Sequence, residues 1–222
     1  MIKKYLDTGD IEEIKKSKAD GFTTNPTLMR KAGVTNYAEW AKEVVKCIDK
    51  PISFEVFADD FEEMERQAHK IHSWGDNVYV KIPITNTKGE SSFNLIEGLA
   101  LENVKVNVTA IMTIKQVEEI LPALSDTPAV ISIFAGRIAD TGINPSNTMF
   151  TAKNMIGDKA ELLWASPRQV FDVYLAQNIE CDIITISPEI YAKLDKKGYD
   201  LKKFSLDTVK MFYKDGQGYD IS

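Results

Sequence analysis

Cysteine is scarce: Cys47 and Cys181 are the only two in 222 residues, and neither belongs to a CxxC pair. Neither a disulfide framework nor a thiolate metal site is indicated, and both thiols are expected to be buried as small apolar side chains. Histidine is equally sparse. His69 and His72 stand i, i+3 on a charged helical segment with no third ligand in view, so a solvated face is expected and a metal is not. The glycines form no GxGxxG or Walker pattern, which leaves no sign of a nucleotide, and no organic cofactor is expected. No apolar run approaches the roughly 20 residues that span a bilayer, and Met1-Ile2-Lys3-Lys4-Tyr5 lacks the apolar core of a secretory signal. A soluble, cytoplasmic protein with no membrane partner is expected. Positive charge is also in deficit, 27 Lys and Arg against 33 Asp and Glu for a net charge of -6. That balance argues against nonspecific nucleic-acid binding but leaves room for a local Arg/Lys cluster to hold a small anion. No Gly/Ser or Pro-rich linker, repeat or low-complexity tract breaks the chain, so one domain over 1–222 is expected. The mixed run Lys193-Leu194-Asp195-Lys196-Lys197 reads as a solvated helix end.

What is present is alternation. Short β-branched runs, Lys4-Leu6, Gly21-Thr24, Ile52-Phe57, Val78-Ile84, Lys105-Ala110, Ala129-Phe134, Glu161-Ala165 and Asp182-Ile186, are separated by segments with helical apolar spacing. The clearest helix carries Tyr37, Trp40, Ala41, Val44, Val45 and Ile48 on one stripe, with Glu39, Lys42, Glu43 and Lys46 off it. Asp10-Ile11-Glu12-Glu13, Asp59-Asp60-Phe61-Glu62 and Thr113-Ile114-Lys115-Gln116 have the form of capping boxes. Eight βα units at about 28 residues each suit a single (β/α)8 TIM barrel, a doubly wound open sheet being the alternative. Polar residues decide for the barrel. Asp7, Asn25, Glu55, Lys81, Asn107, Thr109, Ser132, Arg137, Ser166 and Arg168 all stand at or just beyond C-terminal strand ends, which in a barrel converge on one mouth.

Lys81 lies inside Val78-Tyr79-Val80-Lys81-Ile82-Pro83-Ile84, where a charged side chain needs a reason. Desolvation and nearby positive charge can leave such an amine neutral and nucleophilic towards carbonyls; snorkelling to solvent or pairing with a carboxylate is the other reading. Asp7 and Glu55 are carboxylates on separate strand ends and could divide two proton transfers, although Asp7 precedes Thr8-Gly9-Asp10 and could instead cap a turn. Arg137 and Arg168 follow the sixth and seventh strand runs, with Ser166 near the second. Guanidinium forks there suit a phosphate, and ordinary surface ion pairs are the alternative.

Leu6-Asp7-Thr8, Gly21-Phe22-Thr23-Thr24-Asn25-Pro26-Thr27, Val80-Lys81-Ile82-Pro83, Asn107-Val108-Thr109 and Ile131-Ser132-Ile133-Phe134-Ala135-Gly136-Arg137, in this order and spacing, resemble the transaldolase family. The small-subunit branch and the related fructose 6-phosphate aldolases share the resemblance, which runs nearly the full length. It implies a transferase of carbohydrate metabolism, in the pentose phosphate pathway, that moves a dihydroxyacetone unit between sugar phosphates. Lys81 would be the Schiff-base lysine and Asp7 the acid/base for carbon bond cleavage. Glu55 and Thr109 would position the catalytic water. Asn25, Asn107 and Ser132 would hold the dihydroxyacetone hydroxyls, Phe134 would stand at the mouth, and Arg137, Ser166 and Arg168 would bind phosphate. Glu55 and Phe134 resemble transaldolases, where the aldolase branch tends to carry Gln and Tyr.

Two departures bear on the anion end. Ser166-Pro167-Arg168 stands where the family has Ser-Phe-Arg or Ser-Phe-Lys, with Pro167 expected to lead straight into a helix, and Ile133 replaces the proline of the SPF segment. Another anionic sugar, such as a sulfonated one, is therefore an alternative substrate. An aldolase that releases free dihydroxyacetone and a noncatalytic phosphosugar-binding barrel are alternative functions. Sugar phosphates are the expected partners, along with further copies of the chain in a homo-oligomer.

Overall fold

A computed structural model describes residues 2–219. Met1 and residues 220–222, part of the expected 1–222 domain, lie outside the described residues. Eight strands, β1 (Lys3–Asp7), β2 (Gly21–Thr23), β3 (Ile52–Glu55), β4 (Val78–Pro83), β5 (Val106–Ile111), β6 (Ala129–Ile133), β7 (Glu161–Trp164) and β8 (Ile183–Ile186), run in chain order. All neighbours are parallel, and β8 pairs back onto β1 to close the barrel. Helices fill the connections, among them Tyr37–Cys47, Phe61–His72, Phe93–Leu101, Ala135–Asp140, Ser146–Ile156 and Phe171–Asn178. Residues up to Tyr191 form one compact unit that contains the whole barrel, and those from Ala192 form a second. In the second, the helix Leu201–Asp215 is capped by the Asp200 side chain and leaves Leu206, Val209 and Phe212 exposed. No helix among the described residues is long and apolar enough to cross a membrane.

Every expected strand run overlaps a strand; β1 is longer than expected by one residue at each end, and five of the eight strands are trimmed at the C-terminal end. The trimmed residues still bond to the neighbouring strand: Val56 N–H donates to Lys81 O, Ile84 N–H to Thr109 O, Phe134 N–H to Ile111 O and Ala165 N–H to Ile133 O. The ladder thus runs one bond past each of these strands before the chain turns away. Strand β5 starts and ends one residue later than expected, and its pairing with β6 slips between Val108 and Ile111. Ala110 takes up the extra residue at φ 63°, a bulge that re-aims the end of β5.

Alternation along the strands builds the interior in two layers. Tyr5, Val130, Leu163, Ala165 and Ile183 form a buried apolar cluster with Tyr79 and Phe134 packed against it. Two residues further along the same strands come Asp7, Lys81, Ser132 and Thr185, on the same face and one layer nearer the C-terminal end. The opposite face of each strand meets the helices through Phe22, Phe54, Val80, Ile82, Val108, Ile131 and Ile184, all essentially inaccessible to solvent. An apolar plug therefore closes the barrel beneath a polar floor.

Helix starts follow the sequence signals, with one correction. Thr113 and Gln116 make the reciprocal capping box, and Asp10 accepts from Glu12 N–H and Glu13 N–H. In the acidic pair it is Asp60 that caps Phe61–His72, while Asp59 accepts from the Thr87 N–H and hydroxyl at 2.7 and 2.6 Å. Cys47 is also corrected. It ends its helix off the apolar stripe and is exposed, whereas Cys181 is buried and its thiol is pushed up to about 12 by desolvation.

Gly21 shows how tightly the plug is fitted. A Cβ there would lie 2.5 Å from the Tyr5 ring, inside contact distance. Gly21→Ala should force the ring aside and destabilise the barrel by about 1–3 kcal/mol, read as a lower urea midpoint at unchanged slope. A midpoint equal to wild type would show that Tyr5 is not fixed in this position.

Candidate active site

The C-terminal mouth holds a cavity of about 460 Å³ whose walls include Asp7, Asn25, Glu55, Lys81, Thr109, Ser132, Phe134, Arg137 and Ser166. Seven of the eight strands or the loops after them contribute to this group. Thr23 of β2, within a motif but given no role by it, and Thr185 of β8, outside every motif, also line the wall.

Lys81 lies at the bottom, 6% exposed. Its Nζ donates to Thr24 O at 2.9 Å and lies 3.0 Å from Glu55 Oε2. Register places these side chains together, because Glu55 pairs with Lys81 across β3 and β4. The lysine does not snorkel; a carboxylate partner and a carbonyl offset its burial. Tyr37 fixes the backbone on the other side of Glu55, since its hydroxyl accepts from Glu55 N–H at 3.0 Å and donates to Glu55 O at 3.3 Å. Burial raises the Tyr37 hydroxyl far above its ordinary pKa, so it stays neutral.

Asp7 is not a turn cap. Its carboxylate accepts from the Thr23 hydroxyl at 2.7 Å and from Asn25 Nδ2 at 3.5 Å, while the following turn is capped by Thr8, whose Oγ1 accepts from Asp10 N–H. Thr23 Oγ1 also lies 2.5 Å from Thr185 Oγ1, and because the Thr23 proton goes to Asp7, Thr185 is the donor in that pair. A chain of two hydroxyls thus ends on the acid. Desolvation raises the Asp7 pKa above the usual carboxylate value; attraction to Lys81 and the Thr23 hydrogen bond work against this, and Glu55 adds to it.

Asn107 has a different place from the one expected. It is fully buried, is not part of the cavity wall, donates to Ser53 Oγ at 3.0 Å and accepts from Ser132 Oγ at 2.7 Å. It orients Ser132 from beneath. Thr109 Oγ1 is buried in the cavity wall with no hydrogen-bond partner among the described residues, a donor and acceptor left unused. Thr109 stands two residues beyond Asn107 in unbroken register with β4, so strand alternation aims it there.

Around the rim, Phe134 lies under the Arg137 guanidinium, 5.3 Å from ring centroid to carbon. The helix Ala135–Asp140 approaches the loop after β7 so closely that a Cβ on Gly136 would sit 1.5 Å from Ser166 O. Ser166 itself holds φ 61°, a strained conformation for a non-glycine residue at a site. Pro167 does not open a helix. Arg168 N–H and Gln169 N–H both donate to the buried carboxylate of Asp172, in the first turn of the helix that starts at Phe171. Arg168 does not line the cavity: its guanidinium makes a two-pronged pair with Asp140. That pair holds the Asp140 carboxyl below the usual range. Elsewhere, His69 stands beside Glu65, one turn earlier on its own helix, and Glu102, which comes from another segment, all three exposed.

Alternation would have revealed Thr23 and Thr185, since each stands two residues beyond an inward-facing plug position, Gly21 and Ile183. Tyr37 and Asp140 carry no such signal, because each reaches the site from a helix.

Fold and site define a class, a (β/α)8 barrel with its polar machinery at the C-terminal mouth, where barrel enzymes carry out their chemistry. The family model described as Transaldolase/Fructose-6-phosphate aldolase matches residues 4–220, and the chain belongs to that family. A probable transaldolase of Thermoplasma volcanium is 36% identical over 83% of this chain and 84% of the relative. Another, from Streptococcus equi subsp. zooepidemicus, is 35% identical over 87% and 90%, and one from Thermoplasma acidophilum is 31% identical over 95% and 96%.

The raised Asp7 pKa has a stability consequence. A carboxyl whose folded pKa exceeds its unfolded value costs stability once pH rises above the unfolded pKa of about 3.9, and the cost is complete above the folded one. Asp7→Asn should therefore raise Tm at pH 7, with the gain fading as pH falls towards 4. A Tm gain that persists undiminished at pH 4 would show that the carboxyl is not the source.

Proposed function

We propose that this chain transfers a dihydroxyacetone unit from a ketose phosphate, such as fructose 6-phosphate, to an aldose phosphate through a Schiff base on Lys81. The observation that carries the reading is the Lys81 amine held 3.0 Å from Glu55 in the cavity that also presents Asp7 and Arg137. Glu55 accepts a proton from the lysine, and the freed amine adds to the ketone carbon. Water leaves the carbinolamine as Glu55 returns a proton and Thr109 holds the departing oxygen, giving an iminium. Asp7 then takes the proton of the hydroxyl on the carbon beyond the bond to be broken. That hydroxyl carbon becomes the aldehyde of the departing aldose phosphate, and the bonding pair flows into the iminium to leave an enamine. An incoming aldehyde reverses the last step, and water releases the new ketose.

Asn25 and Ser132 hold the hydroxyls of the three-carbon unit, with Asn107 supporting Ser132. Arg137 and Ser166 receive the phosphate, and Phe134 shields the enamine from solvent protonation. The relatives named as probable transaldolases support transfer over simple aldol cleavage. The exposed Leu206, Val209 and Phe212 suit contact with another copy, in keeping with a homo-oligomer.

Turnover in a coupled assay with fructose 6-phosphate and an aldose phosphate acceptor tests the proposal. Lys81→Arg keeps the charge but cannot form the imine, and should lose all measurable turnover. Glu55→Gln should be slower by about 10² to 10⁴, the usual size of a general acid-base contribution. Omitting the acceptor should stop turnover after one aldose phosphate has been released per active site. Wild-type turnover in Lys81→Arg would end the Schiff-base reading, and full release of dihydroxyacetone without acceptor would assign the chain to aldol cleavage.

A further inference from the structure

Strand β2 stops two residues before its neighbour β3 does. Its register pairs Phe22 with Ile52 and Thr23 with Ser53, and one further ladder bond, from Thr24 N–H to Ser53 O, is made. A parallel ladder would go on with Glu55 N–H donating to Thr24 O and the N–H of residue 26 donating to Glu55 O. Neither bond forms. Residue 26 is Pro26, which has no N–H to give, and Thr24 O accepts from Lys81 Nζ at 2.9 Å instead. The two Glu55 groups that β2 leaves unserved both go to Tyr37, whose hydroxyl accepts from Glu55 N–H at 3.0 Å and donates to Glu55 O at 3.3 Å. The ring that carries this hydroxyl is fixed by packing. Tyr37 opens the helix Tyr37–Cys47, and Phe57, Trp74, Phe54 and Trp40 surround it with ring centroids 4.6, 5.5, 6.1 and 6.5 Å away. Tyr37 is not part of the wall of the cavity at the mouth, so its hydroxyl reaches that cavity only through its neighbours.

We infer that Tyr37 is a positioning residue for the Lys81 amine: by serving the Glu55 backbone in place of the shortened β2, it leaves Thr24 O to the lysine and fixes the Glu55 carboxylate beside it. Both groups that hold Lys81 Nζ, Thr24 O and Glu55 Oε2, thus depend on one hydroxyl outside the cavity. Without that hydroxyl, Glu55 N–H is left to compete with the lysine for Thr24 O. Tyr37 therefore acts on the steps at nitrogen, the formation and hydrolysis of the iminium, and through no contact with substrate. The inference rests on the roles proposed for Lys81 and Glu55 in the preceding section.

Tyr37→Phe in the full-length protein removes the hydroxyl and keeps the ring. Amide hydrogen exchange followed by NMR tests the structural half without turnover. Protection at Glu55 N–H should fall by about tenfold or more as its acceptor is lost. Ile52 N–H, which donates to Asn77 O at the other end of β3, should keep its wild-type protection. Borohydride quenching at intervals after mixing with fructose 6-phosphate tests the chemical half. Adduct formation should be slower by about ten- to a hundredfold, the size expected when a buried donor is left without its acceptor. In the coupled assay kcat and kcat/KM should fall together, and affinity for inorganic phosphate should stay at the wild-type value. Trp40→Phe loosens the packing around the ring but leaves the hydroxyl; it should lower Tm and leave adduct formation at the wild-type rate. Wild-type adduct formation in Tyr37→Phe, or wild-type protection at its Glu55 N–H, would overturn the inference. So would an equal slowing in Trp40→Phe, since loss of packing alone would then account for the effect. No adduct in the wild type, with protection at Glu55 N–H still lost in Tyr37→Phe, would count against the proposed chemistry and not against the hold of Tyr37 on Glu55.

Discussion

One constraint organises the molecule: inside a closed barrel, each strand must present alternate side chains to a space too narrow for water and too small for slack. Tyr5, Val130, Leu163 and Ile183 meet it by filling the space with apolar bulk, and Gly21 by yielding room to the Tyr5 ring. Because the period is two, the next inward position on each strand falls one layer higher, where the barrel opens. Asp7, Lys81, Ser132 and Thr185 occupy that layer. A slip of one residue in any strand would exchange plug residues for the Phe22, Phe54 and Ile82 set that faces the helices. The chemistry is thus held in place by the packing beneath it.

Electrostatics within that layer follows from its closed floor. Lys81, Glu55 and Asp7 share one cavity, and a single lysine faces two acids. Glu55 takes the direct contact with the amine, and Asp7, desolvated and repelled by Glu55, is left holding its proton more tightly than a free carboxyl. The two acids consequently differ before any substrate arrives, one beside the nitrogen and the other across the cavity on a hydroxyl chain from Thr23 and Thr185. Proton transfer at the nitrogen and at the substrate hydroxyl can then be assigned to different groups, which two equivalent carboxylates would not allow.

Much of this was legible in the sequence because the barrel writes its polar layer at a fixed place, the ends of strands. Lys81 stood out as a charge in an apolar run, and strand order carried Asp7, Glu55 and Thr109 to the same mouth. The remainder depends on contacts that strand positions do not encode. Asn107 stands on β5 but is fully buried, and its side chain is taken up by Ser53 and Ser132. Tyr37 and Asp140 come from helices, where Tyr37 read only as part of an apolar stripe and Asp140 looked the same as a residue facing solvent. Arg168 stands beside Asp140, 28 residues earlier, a pairing that strand positions do not encode. Pro167 looked like a helix start because proline favours that position, but the helix begins at Phe171, and its first-turn Asp172 holds the Arg168 N–H of the preceding loop.

The account stands or falls on the Lys81 amine becoming covalently bound to the donor ketose. Incubating the wild-type protein with fructose 6-phosphate alone and reducing with borohydride should increase the intact mass by one reduced dihydroxyacetone unit, with the added mass on the peptide that contains Lys81. An unchanged mass under turnover conditions, or an adduct on any other lysine, would contradict it.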